Sequence, residues 1–170
     1  MKNSGNSIMK LLVLASISMM FFIQVSAQTG KPDFTGTWTL NETKSDFGNA
    51  PFRMAASAMT VKQEGNNLTI ERTIATPDGQ EMKMSGKYTL DGKETENVGM
   101  MDMKTKSKVN WAADNKSFTI ASVTIFNMNG DSMEMKSTEV WNLDGNGLKI
   151  NATNTMPEGD MKTVLIYDKK

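Results

Sequence analysis

Apolar and polar residues alternate with a period of two along most of the chain. Leu68, Ile70 and Ile74 share one face of a segment whose other face carries polar side chains. The same alternation runs through 82–90 and 133–143. A period of two is typical of half-buried β-strands that have one face in the core and one in solvent.

Clusters of Gly, Asn and Asp separate the alternating runs, as at Gly65-Asn66 and Asp91-Gly92. These residue types tolerate the positive φ angles of tight hairpins. The least regular segments are 42–56, which could be a loop or a short helix, and 99–103. The predicted strands lie near 34–41, 57–64, 67–76, 80–90, 93–98, 104–112, 117–127, 132–143, 148–156 and 161–168. Consecutive strands with one apolar face predict an all-β, antiparallel up-and-down meander of about eight to ten strands that closes into a barrel.

The first 27 residues have the pattern of a secretory signal peptide. Lys2 and Lys10 precede the uncharged apolar run 11–25, and small residues follow at Val25-Ser26-Ala27. The run is about 15 residues long, short of the roughly 20 that span a bilayer, so a retained anchor is the weaker interpretation. We therefore expect cleavage after residue 27, a single domain over 28–170, and no membrane insertion after cleavage.

Charge and composition exclude several classes of function. The chain has 19 basic and 19 acidic residues, and loss of the two signal lysines leaves a net charge of −2, which does not favour nucleic acid. His and Cys are both absent, which excludes Ser-His and Cys-His nucleophiles, His-ligated zinc and disulfides. The acidic residues form no pair marked by its surroundings. We therefore predict a protein that is not an enzyme and uses no cofactor.

Arg72 is the most informative charged residue, because it falls on the apolar face of its strand between Ile70 and Ile74. A buried guanidinium is costly unless it is paired. One hypothesis is a clamp for the acidic head of a ligand. The alternatives are an internal pair with Glu139, which also lies on an apolar-face register, or a side chain that reaches solvent.

Methionine is unusually frequent, with 16 residues in the chain. The pairs Met82/Met84 and Met133/Met135 each place two thioethers on one face of a strand, and 100–103 holds three more. Thioethers suit Cu(I), so a copper carrier is one alternative. The other interpretation is that methionine fills the core or lines an adaptable apolar pocket.

The two ends of the domain resemble the lipocalin and fatty-acid-binding-protein superfamily, the calycins. Gly36-Thr37-Trp38 is similar to the Gly-x-Trp of its first strand, and 165–169 resembles the Arg-x-Tyr-x-Lys of its last. The resemblance implies a calycin-like barrel in which Trp38 plugs one end and Gly36 permits close approach of another segment. It implies a ligand contact for Tyr167, whereas Leu165 occupies the position of the family's Arg.

The family's basic residue over the Trp has no clear equivalent. Lys162 and Lys169 are possible substitutes, but the alternation is taken to point both away from the face of Tyr167. The segment 34–48 further resembles lipocalin-like exported domains of Bacteroidota-type bacteria. That resemblance implies a location in the periplasm or outside the cell of a Gram-negative-type bacterium.

The sequence thus predicts an exported, non-catalytic protein that holds a small hydrophobic or amphipathic ligand inside a barrel. Alternatives are the copper carrier, with Met82, Met84, Met133 and Met135 as ligands, and a protein-interaction barrel with a filled core and an apolar outer patch. Neither ligand identity nor oligomeric state follows from the sequence. The predicted ligand contacts are Arg72, Tyr167, Tyr88, Trp141, Met84, Met135 and Ile120, with Ile70 and Ile74 beside them.

Overall fold

The computed structural model describes residues 30–48, 55–76, 79–99, 103–128, 131–156 and 159–170. The predicted signal peptide, the Met100-Met101 pair and the tips of the turns at 77–78, 129–130 and 157–158 lie outside these residues. Ten strands account for most of the described chain. They are β1 (Gly36–Leu40), β2 (Ala58–Glu64), β3 (Asn67–Ala75), β4 (Glu81–Thr89), β5 (Glu94–Val98), β6 (Lys104–Trp111), β7 (Ser117–Met128), β8 (Asp131–Asp144), β9 (Gly147–Met156) and β10 (Gly159–Lys169).

The strands form one antiparallel sheet in the order β4-β3-β2-β1-β10-β9-β8-β7-β6-β5, so all sequence neighbours pair except β4 and β5. The pairing of β1 with β10 turns the meander into a ring. At the seam between β4 and β5 a side chain replaces the missing ladder. The Lys87 backbone N–H donates to Asn97 Oδ1 at 2.8 Å, and Asn97 Nδ2 donates to the Lys87 carbonyl at 3.0 Å. The predicted meander closed into a barrel is confirmed.

Tight hairpins fix the register of the sheet, as the turn chemistry predicted. Glu64 pairs with Asn67 and Asp144 with Gly147, so each connection has two residues, and both are Gly-Asn. Gly65 has φ +57°, a left-handed conformation in which a Cβ would be strained. Because the side-chain period is two, fixing the register also fixes which residues face inward.

The segment between β1 and β2 contains no helix in its described part, 41–48 and 55–57. Turns follow β1, and Asp46 then forms an isolated antiparallel bridge with Val164 of β10. The chain is here so close to β10 that a Cβ on Gly48, at φ +57°, would clash with the carbonyl oxygen of Lys162. Of the two possibilities for 42–56, the described residues show the loop.

The two ends of the barrel differ in what fills them. At one end, which we call the floor, the residues just before β1 pack under the barrel with the main buried cluster. The opposite end, which we call the mouth, carries the β3–β4, β5–β6, β7–β8 and β9–β10 connections. The floor cluster is Phe34, Trp38, Met59, Val61, Leu68, Ile70, Val109, Phe118, Ile120, Trp141, Leu148, Ile150 and Tyr167.

Candidate ligand-binding site

Aromatic rings close the floor of the barrel. Phe34, which precedes β1, lies with its ring centroid 4.7 Å from that of Phe118, and Phe118 stacks on Trp141 at 5.5 Å. Trp38 Nε1 donates to the carbonyl of Phe34 at 3.1 Å, which holds the incoming segment under the strands. Rings of this size bury much apolar area and favour such tilted or offset contacts. Trp38 therefore has the structural role expected of it, and Phe34, which the sequence analysis did not single out, shares that role.

The predicted ligand contacts divide between two depths of the barrel. Ile120, Trp141 and Tyr167 are buried members of the floor cluster. Arg72, Tyr88, Met84 and Met135 point inward from β3, β4 and β8 but remain partly accessible. Met84 and Met135 lie toward the mouth. Tyr88 lies nearer the floor, where it pairs with Leu68, and its hydroxyl extends up to Arg72. The interior thus has a packed lower half and a partly accessible upper half.

An ion pair spans the barrel where these two halves meet. Arg72 Nη2 lies 2.7 Å from Glu139 Oε2, and Trp141 Nε1 donates to the same oxygen at 2.9 Å. Strands β3 and β8 are second and seventh in the sheet order, so they stand on opposite walls of the ring. The guanidinium carbon also lies 5.8 Å from the centroid of a Trp141 ring, within the range of a cation–π contact. Of the alternatives for Arg72, the structure forms the internal pair with Glu139.

Tyr88 adds a hydroxyl to this ion pair because Gly86 leaves room for its ring. A Cβ built on Gly86 would lie 2.5 Å from the Tyr88 oxygen and 2.8 Å from two ring carbons. The ring therefore folds back over Gly86, and its hydroxyl lies 3.5 Å from Arg72 Nη1. Gly86 is a positioning residue that sequence reasoning missed. Its signal was a glycine two positions before an inward-facing tyrosine.

A stripe of hydroxyl groups runs along the inner face of β6 and β7. Ser107 Oγ and Ser122 Oγ are 2.8 Å apart, and Thr105 Oγ1 and Thr124 Oγ1 are also 2.8 Å apart. In each pair the two residues are direct cross-strand partners in the register of β6 and β7. The hydroxyl stripe was not predicted. Its signal was the presence of Ser and Thr at inward positions of strands whose other inward residues are apolar.

Methionines line the mouth on two facing walls. Met82 and Met84 lie on β4 opposite Ile74 and Arg72 of β3, and all are partly buried. Met133 and Met135 lie on β8, which is separated from β4 by β5, β6 and β7 around the seam. The copper alternative needs the two pairs to converge on one ion. They stand on different walls, and copper binding stays a prediction.

Lys169 corrects one expectation from the sequence. It lies two residues after Tyr167, so the two share a face of β10, and its Nζ lies 5.3 Å from the Trp38 ring centroid. A Cβ on Gly36 would come within 2.9 Å of Lys169 Cε, so this glycine permits the approach. Lys169 thus takes the place over the tryptophan that the resemblance assigns to a basic residue. The alternation was wrongly taken to point it away.

Local electrostatics keep Arg72 charged and Tyr167 neutral. Burial disfavours the charged guanidinium, but the Glu139 carboxylate and the nearby tyrosine hydroxyls outweigh it and raise the pKa of Arg72. Burial raises the pKa of the Tyr167 hydroxyl well above its usual range, and the Arg72 charge opposes this only in part. The interior therefore holds a stable cation–anion pair near an uncharged buried tyrosine.

The outer wall is polar in the part of the barrel that the structure describes. Lys106 and Lys108 of β6 reach Glu94 of β5 across the ladder, at 3.6 and 3.7 Å. The exposed apolar residues Val98 and Ile125 are both register partners of Lys104, which lies between them. Lys104 thus separates these two exposed apolar side chains, and the interaction-module alternative stays a prediction.

Two kinds of feature are absent from the described residues. They contain no group of three or more acidic residues, His or Cys arranged to hold a metal ion. They also contain no helix that is long and apolar enough to cross a membrane.

The fold is that of the calycins, and specifically of the ten-stranded barrel of fatty-acid-binding proteins. The chain resembles zebrafish ileal bile acid-binding protein complexed with cholic acid, with a TM-score of 0.55 and 16% identity over 81% of this chain and 98% of that one. It also resembles fatty-acid-binding protein 1 of Echinococcus granulosus, with a TM-score of 0.54 and 13% identity over 80% of this chain and 96% of that one.

A third similar structure is secretory abundant heat soluble protein 4 of Ramazzottius varieornatus, with a TM-score of 0.51 and 16% identity over 85% of this chain and 99% of that one. At these identities the similarity establishes the fold. No protein-family profile and no curated protein matches the sequence. The first two similar proteins are binding proteins by name.

Proposed function

We propose that this barrel binds a small hydrophobic or amphipathic molecule in the half of its interior between the ion pair and the mouth. One observation carries the proposal. Arg72 and Glu139 point into the barrel, yet their side chains are 20% and 30% exposed. In a filled barrel, side chains that meet across the centre would be buried, as Trp141 and Tyr167 are. This partial exposure supports an interior that is open above the ion pair.

The chemistry of the surrounding walls supports an amphipathic occupant. Partly buried apolar side chains from β3, β4, β7 and β8 surround the upper half. The ion pair and the hydroxyl stripe supply a small number of convergent polar groups below them. A mostly apolar lining with a few placed polar groups is typical of small-molecule sites. The apolar wall residues are Ile74, Met82, Met84, Phe126 and Met135.

Native mass spectrometry of the protein, recovered from its own host without detergent, tests the proposal. We expect a reproducible extra mass that is released as one small apolar or amphipathic molecule on denaturation. A bare protein mass in every preparation, with no saturable uptake of added apolar probes, would contradict it.

A pair of neighbouring substitutions supplies the matched control. Met84 points into the barrel and Ser85 points to solvent on the same strand. Met84→Glu adds a third charge beside the Arg72–Glu139 pair, because Arg72 is its cross-strand neighbour, and should abolish the extra mass, since a net charge on the apolar wall disfavours apolar contact. Ser85→Glu adds the same charge outside and should retain the ligand. Equal retention by both variants would place the ligand elsewhere.

We also propose that the protein works after export as a carrier and not as an enzyme. The signal-like pattern of 1–27 and the absence of His and Cys support this proposal. Fractionation of the host, with mass analysis of the mature N-terminus, tests it. Recovery of the protein in the cytoplasm alone, with residues 1–27 uncleaved, would contradict export.

A further inference from the structure

The two charges between the floor and the mouth of the barrel cancel one another. Arg72 and Glu139 form one pair at 2.7 Å. Among the inward residues whose side chains the structure describes, they are the ionised groups between the floor and the mouth, because the lysines of β4 and β6 are on the outer face. The third charged inward residue, Lys169, lies at the floor over Trp38. A ligand that enters from the mouth therefore meets a site with no net charge.

A neutral site changes which head group is favoured. A carboxylate would approach Arg72 only alongside Glu139, whose like charge opposes it, and it would lose its hydration without gaining an unpaired cation. An uncharged group that both donates and accepts has no such penalty. It can donate to the Glu139 carboxylate and accept from Tyr88 or from the hydroxyl stripe, while Arg72 keeps its partner.

We propose that the barrel selects uncharged amphipathic ligands, with a hydroxyl or amide head group, over long-chain carboxylates. This inference rests on the proposed function, since it describes the polar end of the same site. The selecting element is the Arg72–Glu139 ion pair, and Glu139 is the specificity-determining residue.

Displacement of a neutral fluorescent apolar probe tests this selectivity at neutral pH. The competitors are a saturated primary alcohol, the amide and the carboxylate of the same chain length. The alcohol and the amide should displace the probe at concentrations at least about tenfold lower than the carboxylate, because burial of an unpaired charge is costly. A carboxylate that competes as well as the alcohol, or better, would overturn the inference and leave the proposed function intact.

Two variants show whether the ion pair is the cause. Glu139→Gln frees the guanidinium and should reverse the preference, so that the carboxylate gains at least about tenfold relative to the alcohol. Arg72→Gln combined with Glu139→Gln removes both charges, leaves no unpaired ion to impair folding, and should keep the preference for neutral heads. An unchanged preference in folded Glu139→Gln would overturn the role of the pair. Failure of the probe and all three competitors to bind the unmodified protein would refute the proposed function itself.

Discussion

A double-mutant cycle on Arg72 and Glu139 measures how strongly the two walls of the barrel are joined. Replacing Glu139 by Met leaves a guanidinium that is four-fifths buried, with the Tyr88 hydroxyl at 3.5 Å as its described side-chain partner. Breaking a buried ion pair in this way costs about 3–5 kcal/mol, and the partial exposure places the expected loss near the lower end. We expect Glu139→Met to lower the free energy of unfolding by about 3 kcal/mol.

The reverse substitution should cost less. Arg72→Met leaves Glu139 with the Trp141 N–H still donating at 2.9 Å, and the carboxylate is the more exposed partner. We expect a loss of about 1–2 kcal/mol. The double variant, with two apolar side chains of similar length, should lose no more than about 1 kcal/mol relative to the unmodified protein, so the coupling energy is about 3–5 kcal/mol.

Urea unfolding followed by tryptophan fluorescence gives all four free energies. The coupling should persist in high salt, because an interior pair is screened little. The matched cycle on the surface pair Lys104–Glu96, at 3.3 Å with both side chains well exposed, should give little coupling, and salt should remove it. Additive losses at Arg72 and Glu139, with coupling under about 0.5 kcal/mol, would refute the account of a pair that spans the barrel.

Three further predictions concern the seam, the floor and the first loop. Asn97→Ala should lower the free energy of unfolding by about 1–2 kcal/mol, because the β4–β5 seam loses both amide hydrogen bonds. Amide hydrogen exchange should become faster in β5 but not in β8. Equal exchange rates in β5 of the variant and the unmodified protein would contradict this. In a Tyr88→Phe variant, absorbance titration should show Tyr167 ionising well above pH 10. The contribution of Tyr167 to the free energy of unfolding should be unchanged below about pH 10 and should fall as the pH rises further, because only the unfolded tyrosine ionises there. Ionisation of Tyr167 at the pH of a free tyrosine would show that the ring is not buried. Gly48→Ala should destabilise the protein more than Gly65→Ala, because both glycines have φ +57° but only the first would clash with the β10 backbone; equal losses would refute that packing.

The sequence predicts the fold better than it predicts the site. Strand positions follow from alternation and hairpin chemistry, which are local, and all ten predicted strands are present. Closure was also predictable, because an apolar-faced meander that stayed open would leave two unpaired edges. The hydrogen bonds that close the β4–β5 seam were not predictable, since the side chain of Asn97 makes them in place of a backbone ladder.

The site depends on distances across the barrel that alternation does not give. Alternation placed Arg72, Tyr88, Met84 and Ile120 on the inner face, but it carries no information on depth. It therefore could not distinguish Ile120, which is packed in the floor, from ligand contacts nearer the mouth. The pairing of Arg72 with Glu139 joins strands on opposite walls, so it could be written only as one of several alternatives.

The methionines themselves offer the most direct test that a ligand occupies the upper half of the barrel. Met82, Met84 and Met135 lie toward the mouth, whereas Met59 is 2% exposed in the floor cluster and serves as the internal control. Methyl-labelled methionine gives one NMR signal per residue during titration with a neutral amphiphile. The account predicts saturable shifts of the mouth methyls and a clearly smaller shift of the Met59 methyl, which is buried but is the register partner of Arg72. Unchanged mouth methyls, or a shift of Met59 as large as theirs, would contradict it.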